Sequence, residues 1–526
     1  MKEKTLKGTL PPAIKDLTKV GAIPGETVPA KLIQTQMSWV LIAGEHVYKM
    51  KKPVNLGYVD YTTLEKRRYY CHREVELNRR LCPQNYLGVS TINLCNNTYC
   101  IDGKGEVVDY AVKMKTLPPE KMLDHILEHG NPTPEMLHQV GARIAAFHQE
   151  AETGPHINQF GSLESIRFNA EENFTQSKPY TGVAVSSETL DRIENFATDF
   201  LDNHAGLFEN RVAEGRIRDC HGDLHSSHIC FTDKLCIYDC IEFNDRFRYA
   251  DTASEVAFLA MDLDHYGRAD LSQAFIQRYL EITGDNQAEK LMRFYKCYRA
   301  MVRAKVNCFK LDDPYVSAEE KRLACLGAQL YFALAESYTT DKPWLLVNVG
   351  LVGSGKSTLA KALASHLGMA IISSDLVRKE MAGIPPTQSG AVEMDSGIYS
   401  PDFSRLTYEA MFNQAEKWLK LGVSVILDGT FTLRKSRVTA REIAARNNAG
   451  FCELEYIISD EEACQRISLR QSDPGNVSDG TTDVYFKMKR EFEPLDKTEE
   501  SQRVIIDSAG TTEEHIASIR HHIFQQ

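Results

Sequence analysis

The hydrophobic pattern of the chain changes character near residue 116. From about 30 to 115 it is typical of β-strands, as in Trp39–Ile42. From about 117 to 338 apolar residues recur at helical spacing, as they do over Leu137–Ile144. The pattern predicts a small β-rich lobe followed by a helical lobe with a cleft between them, together an α+β domain over residues 1–340.

One charged helix interrupts the small lobe. Thr62 and Glu65 have the spacing of a capping box, in which each side chain bonds a backbone N–H of the first helical turn. The helical pattern continues through Glu74 to Leu81, and Pro83 indicates its end.

After a short polar linker, Thr339–Pro343, apolar strands alternate with helices over residues 344–526. The predicted strands are Trp344–Val349, Met369–Ile372, Val423–Leu427, Cys452–Ile458 and Val504–Ile506. This alternation predicts an α/β domain with a parallel, helix-covered sheet.

Composition narrows the class of protein. At 526 residues the chain is longer than one hydrophobic core usually supports. The formal net charge of −11 argues against a long nucleic-acid partner, because such surfaces are usually basic. With no secretion signal and no apolar run of membrane-spanning length, we expect a cytoplasmic protein without a membrane partner. Nothing in the pattern indicates an oligomeric state.

The thirteen cysteines follow no regular framework. Cys95 and Cys100 are nearest to a metal-binding pair, but their spacing is wrong and no second pair follows. We therefore expect buried free thiols in a reducing compartment.

The strongest motif is a P-loop that starts at Gly350 and matches G-x-x-x-x-G-K-[ST] between a strand and a helix. In this motif Lys356 reaches the β- and γ-phosphates, and the Ser357 hydroxyl binds Mg²⁺. The residues predicted to hold nucleotide are Gly350, Gly353, Ser354, Gly355, Lys356, Ser357 and Thr358.

Acidic residues end the next two strands of this half. Asp375 is placed to accept a proton from an attacking hydroxyl, and Arg378 to hold an anionic group of the substrate. A helix N-cap with a surface arginine is the alternative for this pair. Asp428 is the expected second Mg²⁺ residue.

Arg466 and Arg470 lie four residues apart, on one face of a helix. Together with the polar loop over 471–483 they are typical of a lid that neutralises phosphate charge. Arginines on a solvated helix face are the alternative.

These motifs resemble the P-loop kinases that include polynucleotide 5′-kinases and zeta-toxin-like small-molecule kinases. The resemblance implies that Asp375 is the general base, that Arg378 binds substrate phosphate, and that Arg466 and Arg470 belong to a lid.

The first half carries a second motif, His221-Gly-Asp-Leu-His225. A kinase-type catalytic loop needs an Asp for the acceptor hydroxyl, a metal ligand five residues later, and another Asp on a following strand. Asp223, His228 and Asp239 have this spacing.

The ordered set resembles the aminoglycoside phosphotransferase and choline-kinase-like family, which shares the two-lobed protein-kinase architecture. The resemblance implies that Lys49 holds the α- and β-phosphates and that Glu74 pairs with it. Lys51 or Lys52 and Glu76 are close competitors for these two roles, and surface positions are the alternative for all of them.

His228 departs from that family, which usually has Asn at this position. Imidazole is a poorer ligand than a carbonyl oxygen for Mg²⁺ and suits softer metals. Three interpretations stay open: a weaker metal site, a site better suited to Mn²⁺, or a domain that only binds a ligand.

The whole sequence predicts a bifunctional or tandem kinase that uses ATP (or GTP) with Mg²⁺ (or Mn²⁺). The acceptor is a small hydroxyl compound or, for the second half, an RNA or DNA 5′ end; the acidic charge favours small molecules. One alternative keeps only the P-loop half catalytic, with a substrate-recognising pseudokinase before it. Another is a binding protein whose ATP hydrolysis switches its affinity for a partner.

Overall fold

The computed structural model describes residues 10–25, 29–314, 316–385, 397–471, 481–495 and 502–525. The chain forms two compact units. The first comprises Met1–Asp262 and Leu271–Ala335, and the second comprises Leu263–Asp270 and Glu336–Gln526.

The first unit begins with a six-stranded antiparallel sheet in the order β1-β2-β3-β6-β4-β5. Its strands are β1 (Lys31–Gln34), β2 (Ser38–Ala43), β3 (His46–Lys51), β4 (Tyr86–Cys95), β5 (Thr98–Ile101) and β6 (Glu106–Lys115). Helix α1 (Pro12–Leu17) contacts β5, and α2 (Leu64–Asn78) packs on β4 and β6. Strands β2 and β3, which lie on either side of Gly44, are antiparallel neighbours.

Helix α2 begins one residue later than its capping box predicts. Thr63 is the N-cap, and its side chain accepts a hydrogen bond from the backbone N–H of Lys66. The Thr62 hydroxyl instead donates to Asp60 at 2.6 Å, which removes it from the capping position. The helix also ends at Asn78, before the predicted Leu81.

The chain between Lys115 and Ser337 is mainly helical, with two short antiparallel strand pairs. Its elements are α3 (Leu123–His129), α4 (Pro134–Glu150), α5 (Pro155–Asn158), α6 (Leu163–Ser177), α7 (Ser187–Asn203), α8 (Ala205–Ala213), β7 (Ile217–Asp219), β8 (Ile229–Phe231), β9 (Leu235–Ile237), α9 (Asp245–Arg248), β10 (Tyr249–Asp251), α10 (Thr252–His265), α11 (Ala269–Thr283), α12 (Asn286–Asp312) and α13 (Ala318–Ser337). Strand β7 pairs with β10 and β8 pairs with β9, both antiparallel. The two strand pairs flank the His221 motif.

The second unit confirms the predicted parallel sheet, with strand order β12-β13-β11-β14-β15. Its elements are β11 (Trp344–Val349), α14 (Lys356–Leu367), β12 (Ala370–Ser373), α15 (Ser374–Met381), α16 (Pro401–Lys420), β13 (Val425–Asp428), α17 (Arg434–Arg446), β14 (Gly450–Ile457), α18 (Asp460–Gln471), α19 (Thr482–Glu491), β15 (Arg503–Asp507) and α20 (Thr512–Gln525). Residues of the central strand β11 alternate between two apolar clusters: Leu345 and Val347 belong to one, Leu346 to the other. Both faces of the sheet are therefore covered, as a parallel sheet requires.

Four cysteines correct the expectation of free thiols, because the structure has disulfides between Cys82 and Cys236 and between Cys95 and Cys100. Cys82 and Cys236 meet inside one buried cluster although 154 residues separate them, a separation at which sequence spacing gives no signal. The other nine cysteines are free, and seven of them are buried. Among the described residues no helix is both long and apolar enough to span a membrane.

Candidate functional sites

The His221 motif lies in a loop between β7 and β8, and a buried carboxylate holds its backbone. Glu255 of α10 accepts hydrogen bonds from the N–H groups of His221 at 2.8 Å and Gly222 at 2.7 Å. His148 Nε2 lies 2.8 Å from the same carboxylate. Burial opposes ionisation, but the hydrogen bond from His148 and its charge hold the pKa of Glu255 at about 2. The loop is thus fixed by an ionised group.

Gly222 in this loop has no substitute. Its φ of 88° lies in the left-handed region, and a Cβ would come within 2.9 Å of the carbonyl oxygen of Phe247. The tight turn presents the next residue, Asp223, to a cavity of about 2890 Å³ in the first unit.

Asp223, His228 and Asp239 are brought together as the spacing predicts. His228 Nδ1 lies 3.6 Å from Asp223 Oδ2, and His228 Nε2 lies 3.6 Å from Asp239 Oδ2. His225 Nε2 is also close to Asp223 Oδ2, at 3.5 Å. Burial raises the pKa of Asp223, but His225 and His228 outweigh it and hold that pKa well below the usual range. Asp223 is an ionised, weakly basic group.

The orientation of His228 suits a metal ligand. Its Nδ1 lies 2.9 Å from the carbonyl oxygen of Asp223, so that nitrogen carries the proton and donates to the carbonyl. Nε2 then has a free lone pair on the side of Asp239. Burial, reinforced by His225, lowers the pKa of His228 to about 4, which keeps the ring neutral at pH 7. One imidazole nitrogen and one carboxylate fit a divalent cation, with softer ions preferred.

Asp239 follows β9 with a φ of 64°, a left-handed conformation that Asp tolerates better than most residues. This backbone turns the carboxylate toward the small sheet, where Lys49 of β3 lies 2.6 Å away from Oδ1. Lys49 also lies 3.0 Å from Glu74 of α2. The predicted Lys49–Glu74 pair therefore exists and adjoins the candidate metal residues.

The competing lysines have other surroundings. Lys51 is 1% exposed and pairs with the second Glu74 oxygen and with Glu242. Lys52 bonds the carbonyl oxygen of Thr35, and it lines the cavity without joining the Glu74 pair. Glu76, the competitor of Glu74, is 68% exposed and pairs with Arg73. Lys49 is accordingly the lysine that joins the sheet to Asp239.

The P-loop of the second unit has the backbone of an anion-binding nest. Gly353 and Gly355 have φ values of 82° and 90°, and helix α14 begins at Lys356 directly after them. A Cβ at Gly353 would lie 3.1 Å from the carbonyl oxygen of Ala463, so the close approach of α18 also requires glycine. Lys356 Nζ donates back into the loop, to Leu351 O at 2.5 Å and Ser354 Oγ at 3.2 Å.

Asp428 is held by residues that sequence reasoning missed. Asn348 of β11 donates from Nδ2 to Asp428 Oδ1 at 3.0 Å and accepts from the Tyr456 hydroxyl at 3.1 Å. Asn348 is fully buried and Asp428 is 7% exposed. The sequence did carry a signal for this contact: Asn348 is the one amide in an otherwise apolar strand. Because buried polar groups need hydrogen-bond partners, its presence there predicts a buried polar neighbour.

Asp375 and Arg378 have different surroundings. Asp375 is exposed in the first turn of α15, while Arg378 is 7% exposed. The Arg378 guanidinium donates to Ile398 O at 2.7 Å and Ser404 Oγ at 3.0 Å, and it stacks over Tyr399. The alternative of a surface arginine is therefore wrong, because these groups cover it. Its role toward substrate stays a prediction.

Arg466 lies beside the P-loop. Its guanidinium is 3.5 Å from the position that a Cβ on Gly355 would occupy, and it pairs with Glu462 at 2.5 Å. The Arg470 side chain and the loop residues 472–480 lie outside the described residues, so the predicted lid stays a prediction.

Comparison with known proteins finds a match to each half. Residues 70–295 match the model of the phosphotransferase enzyme family, and residues 345–495 match that of an AAA domain. Uncharacterized proteins of Mycobacterium bovis and Mycobacterium tuberculosis are 31% identical over 492 residues, which cover 93% of this chain and 94% of each relative.

Solved structures resemble about a third of the chain. A gluconokinase from Sinorhizobium meliloti is 21% identical with a TM-score of 0.25, and it covers 35% of this chain and 93% of its own. A putative kinase from Chloroflexus aurantiacus is 18% identical with a TM-score of 0.28, over 35% and 99%. Likeness at these scores carries no functional argument.

Proposed function

Since the chain belongs to one family with these mycobacterial proteins and joins a phosphotransferase-enzyme domain to an AAA domain, we propose that both domains transfer the γ-phosphate of ATP or GTP to hydroxyl groups. The observation that carries the proposal is the continuous set of contacts from Glu74 through Lys49, Asp239 and His228 to Asp223. It supplies a cation for phosphate, two groups for a metal and a carboxylate for an acceptor in one continuous cluster.

In the first domain, Lys49 would hold the α- and β-phosphates while Glu74 keeps its side chain extended across the cavity. Asp239 and His228 would hold Mg²⁺ or Mn²⁺, which neutralises charge on the phosphates. Asp223 would orient the acceptor hydroxyl and take its proton late in transfer, because a carboxylate of such low pKa is a weak base. Positioning and charge then provide most of the catalysis.

In the second domain, the backbone N–H groups of the P-loop and Lys356 would surround the β- and γ-phosphates. Ser357 and Asp428 would hold Mg²⁺, with Asn348 orienting the Asp428 carboxylate. Asp375 is proposed to accept the proton of the acceptor hydroxyl, with Arg378 on an anionic group of the same molecule. The proposed acceptors are small hydroxyl compounds, and we propose a cytoplasmic location.

The two activities are separable by variants at the two sites. Cell extract is incubated with γ-labelled ATP and either the unaltered protein, Asp223→Asn or Lys356→Met, and labelled products are identified by mass spectrometry. We expect one product to disappear with each variant. Lys361→Met, an exposed position on α14 beyond the P-loop, is the matched control and should retain both products. If Asp223→Asn loses no product while Lys356→Met loses all of them, the first domain is not a phosphotransferase.

A further inference from the structure

The cavity that contains Asp223 has one strongly polar wall. Asn169, Glu172, Asn173 and Gln176 line it from α6. Their spacing places them on a single helix face. This wall lies in the helical part of the first unit, and the phosphate-directed Lys49 lines the same cavity from the sheet. It is therefore placed to contact an acceptor molecule.

Within this wall, the side-chain amide of Asn173 has an N–H group that donates no hydrogen bond to any described residue. Asn173 is 2% exposed, and its Oδ1 accepts a hydrogen bond from Lys305 Nζ at 2.7 Å. Its Nδ2 is buried and has no hydrogen-bond partner among the described residues. A buried amide N–H without an acceptor is unfavourable, so its occurrence beside a cavity suggests that a ligand supplies the acceptor.

The charge next to Asn173 is positive. Lys305 projects from α12, and burial lowers its pKa to about 8, with only partial compensation from Glu172. Glu172 itself forms an ion pair with Arg246. Asp312 and Asp313, the next acids along α12, lie about two turns beyond Lys305, or roughly 10 Å along the axis. Lys305 and the Asn173 side chain thus lie together at the cavity, while the nearest carboxylate is already paired.

Arg299 adds a second cation to the same wall. It lines the cavity from α12, is 7% exposed, and stacks on Phe258 at 4.7 Å. Its Nε donates to the carbonyl oxygen of Ser254, which fixes the plane of the guanidinium. Arg299 and Lys305 thus place two cations of one helix in the lining of the cavity.

We propose that Lys305 and Asn173 bind an oxyanion, a phosphate or carboxylate group, of the molecule that the first domain phosphorylates. The inference rests on the proposed function, since it names the class of acceptor for the Asp223 site. The acceptor then has at least one hydroxyl and one anionic group. Lys305 pairs with the anion, and Asn173 Nδ2 donates to it while Oδ1 keeps Lys305 in place.

Direct binding of simple oxyanions tests the site without knowledge of the acceptor. Inorganic phosphate and acetate are titrated calorimetrically, in chloride buffer, into full-length protein saturated with a non-hydrolysable ATP analogue and Mg²⁺. The analogue fills the nucleotide phosphate sites of both units. Binding that persists in Lys305→Met protein is assigned to another anion site, such as the one proposed at Arg378. We expect weak binding of at least one oxyanion, and the tighter of the two identifies the anionic group of the acceptor.

Variants then locate the binding. Lys305→Met should weaken it about tenfold, the usual scale for a charge-assisted hydrogen bond. Asn173→Leu should weaken it several-fold. Gln176→Glu adds a negative charge on the same wall without altering Lys305, and it should abolish oxyanion binding. This variant keeps the proposal testable if Lys305→Met does not fold. Lys290→Met, an exposed lysine near the start of α12, is the matched control and should bind as the unaltered protein does.

The outcomes separate this inference from the proposed function. If nucleotide binds but no oxyanion does, or if Lys305→Met and Gln176→Glu both bind oxyanion normally, the subsite is refuted alone. If oxyanion binds with the expected pattern but the first domain binds no nucleotide, the proposed phosphotransfer is refuted while the anion site stands.

Discussion

Lys49 and Asp239 form an ion pair at 2.6 Å that joins the antiparallel sheet to the segment after β9, across 190 residues of sequence. Each residue thereby has a counter-charge before nucleotide arrives, which offsets the cost of partly removing both charges from water. A metal-bound triphosphate would replace this pair with two new ones, phosphate on Lys49 and metal on Asp239. Under the proposed function, the phosphates and the metal would therefore bind where this pair lies.

Loss of the Lys49 charge is predicted to weaken nucleotide binding by the first domain. Lys49→Met should reduce ATP affinity on the order of tenfold or more, because a charge-assisted contact to phosphate is lost. The measurement is a titration with a fluorescent ATP analogue in protein that also carries Lys356→Met, so that the P-loop contributes little. Lys52→Met removes a neighbouring cavity lysine and should leave the affinity unchanged; equal effects of the two variants would contradict the assignment.

Glu255, which holds the backbone of His221 and Gly222, is predicted to make the free energy of unfolding depend on pH. Its pKa of about 2 lies below the ordinary value of 4.5, so ionisation favours the folded state. The contribution is fully present above about pH 4.5 and is lost as the pH falls toward 2. A shift of this size corresponds to about 3 kcal/mol.

Comparison with Glu255→Gln measures that contribution. The difference between the two proteins in the free energy of unfolding, from urea denaturation, should be largest near neutral pH and should shrink below about pH 4.5. At pH 7 the variant should also lose turnover by the first domain with little change in nucleotide affinity, since Glu255 positions the Asp223 loop and not the Lys49 side. A difference that does not vary between pH 7 and 3 would contradict the ionised state.

His228 is predicted to set the metal preference of the first domain. His228→Asn replaces a nitrogen ligand with a carbonyl oxygen, which Mg²⁺ prefers. We expect Mn²⁺ to bind the unaltered protein more tightly than the variant, and Mg²⁺ to support a larger share of the activity in the variant. The direct measurement is a Mn²⁺ titration followed by electron paramagnetic resonance, with nucleotide present, in Lys356→Met protein. Unchanged Mn²⁺ affinity would show that His228 is not a ligand.

The sequence was informative where chemistry follows spacing along the chain. Asp223, His228 and Asp239 lie within 17 residues of one another around a single hairpin, so their order along the chain predicts that they form one cluster. Lys356 belongs to the P-loop, whose residues are consecutive, so the motif itself predicts its place. Glu255 was not predicted because its partners are backbone groups more than thirty residues earlier, and the fold alone brings them together.

Burial was a further limit of the sequence. Arg378 has the spacing of a surface arginine on a short helix, but the carbonyl oxygen of Ile398 and the hydroxyl of Ser404 cover it. Periodicity along one helix does not indicate which later segment packs on it. Cys82 and Cys236 illustrate the same limit, since nothing in the sequence near either cysteine indicates that the two form a disulfide.

Asn348 is predicted to stabilise the second unit and to orient its metal ligand. Asn348→Leu keeps the volume but leaves the Asp428 carboxylate and the Tyr456 hydroxyl without their shared partner, which should lower the free energy of unfolding by about 1–3 kcal/mol. Affinity for Mg²⁺–ATP at the P-loop should fall as well, because Asp428 loses the bond that fixes it. Tyr456→Phe is the matched control: it removes only the hydroxyl, so it should reduce stability less and leave Mg²⁺–ATP affinity unchanged. Urea unfolding and calorimetric titration in Lys49→Met protein, in which nucleotide binding by the first domain is weakened, provide the two measurements. If Tyr456→Phe weakens nucleotide binding as much as Asn348→Leu does, the effect comes from general loosening of the sheet and not from the position of Asp428.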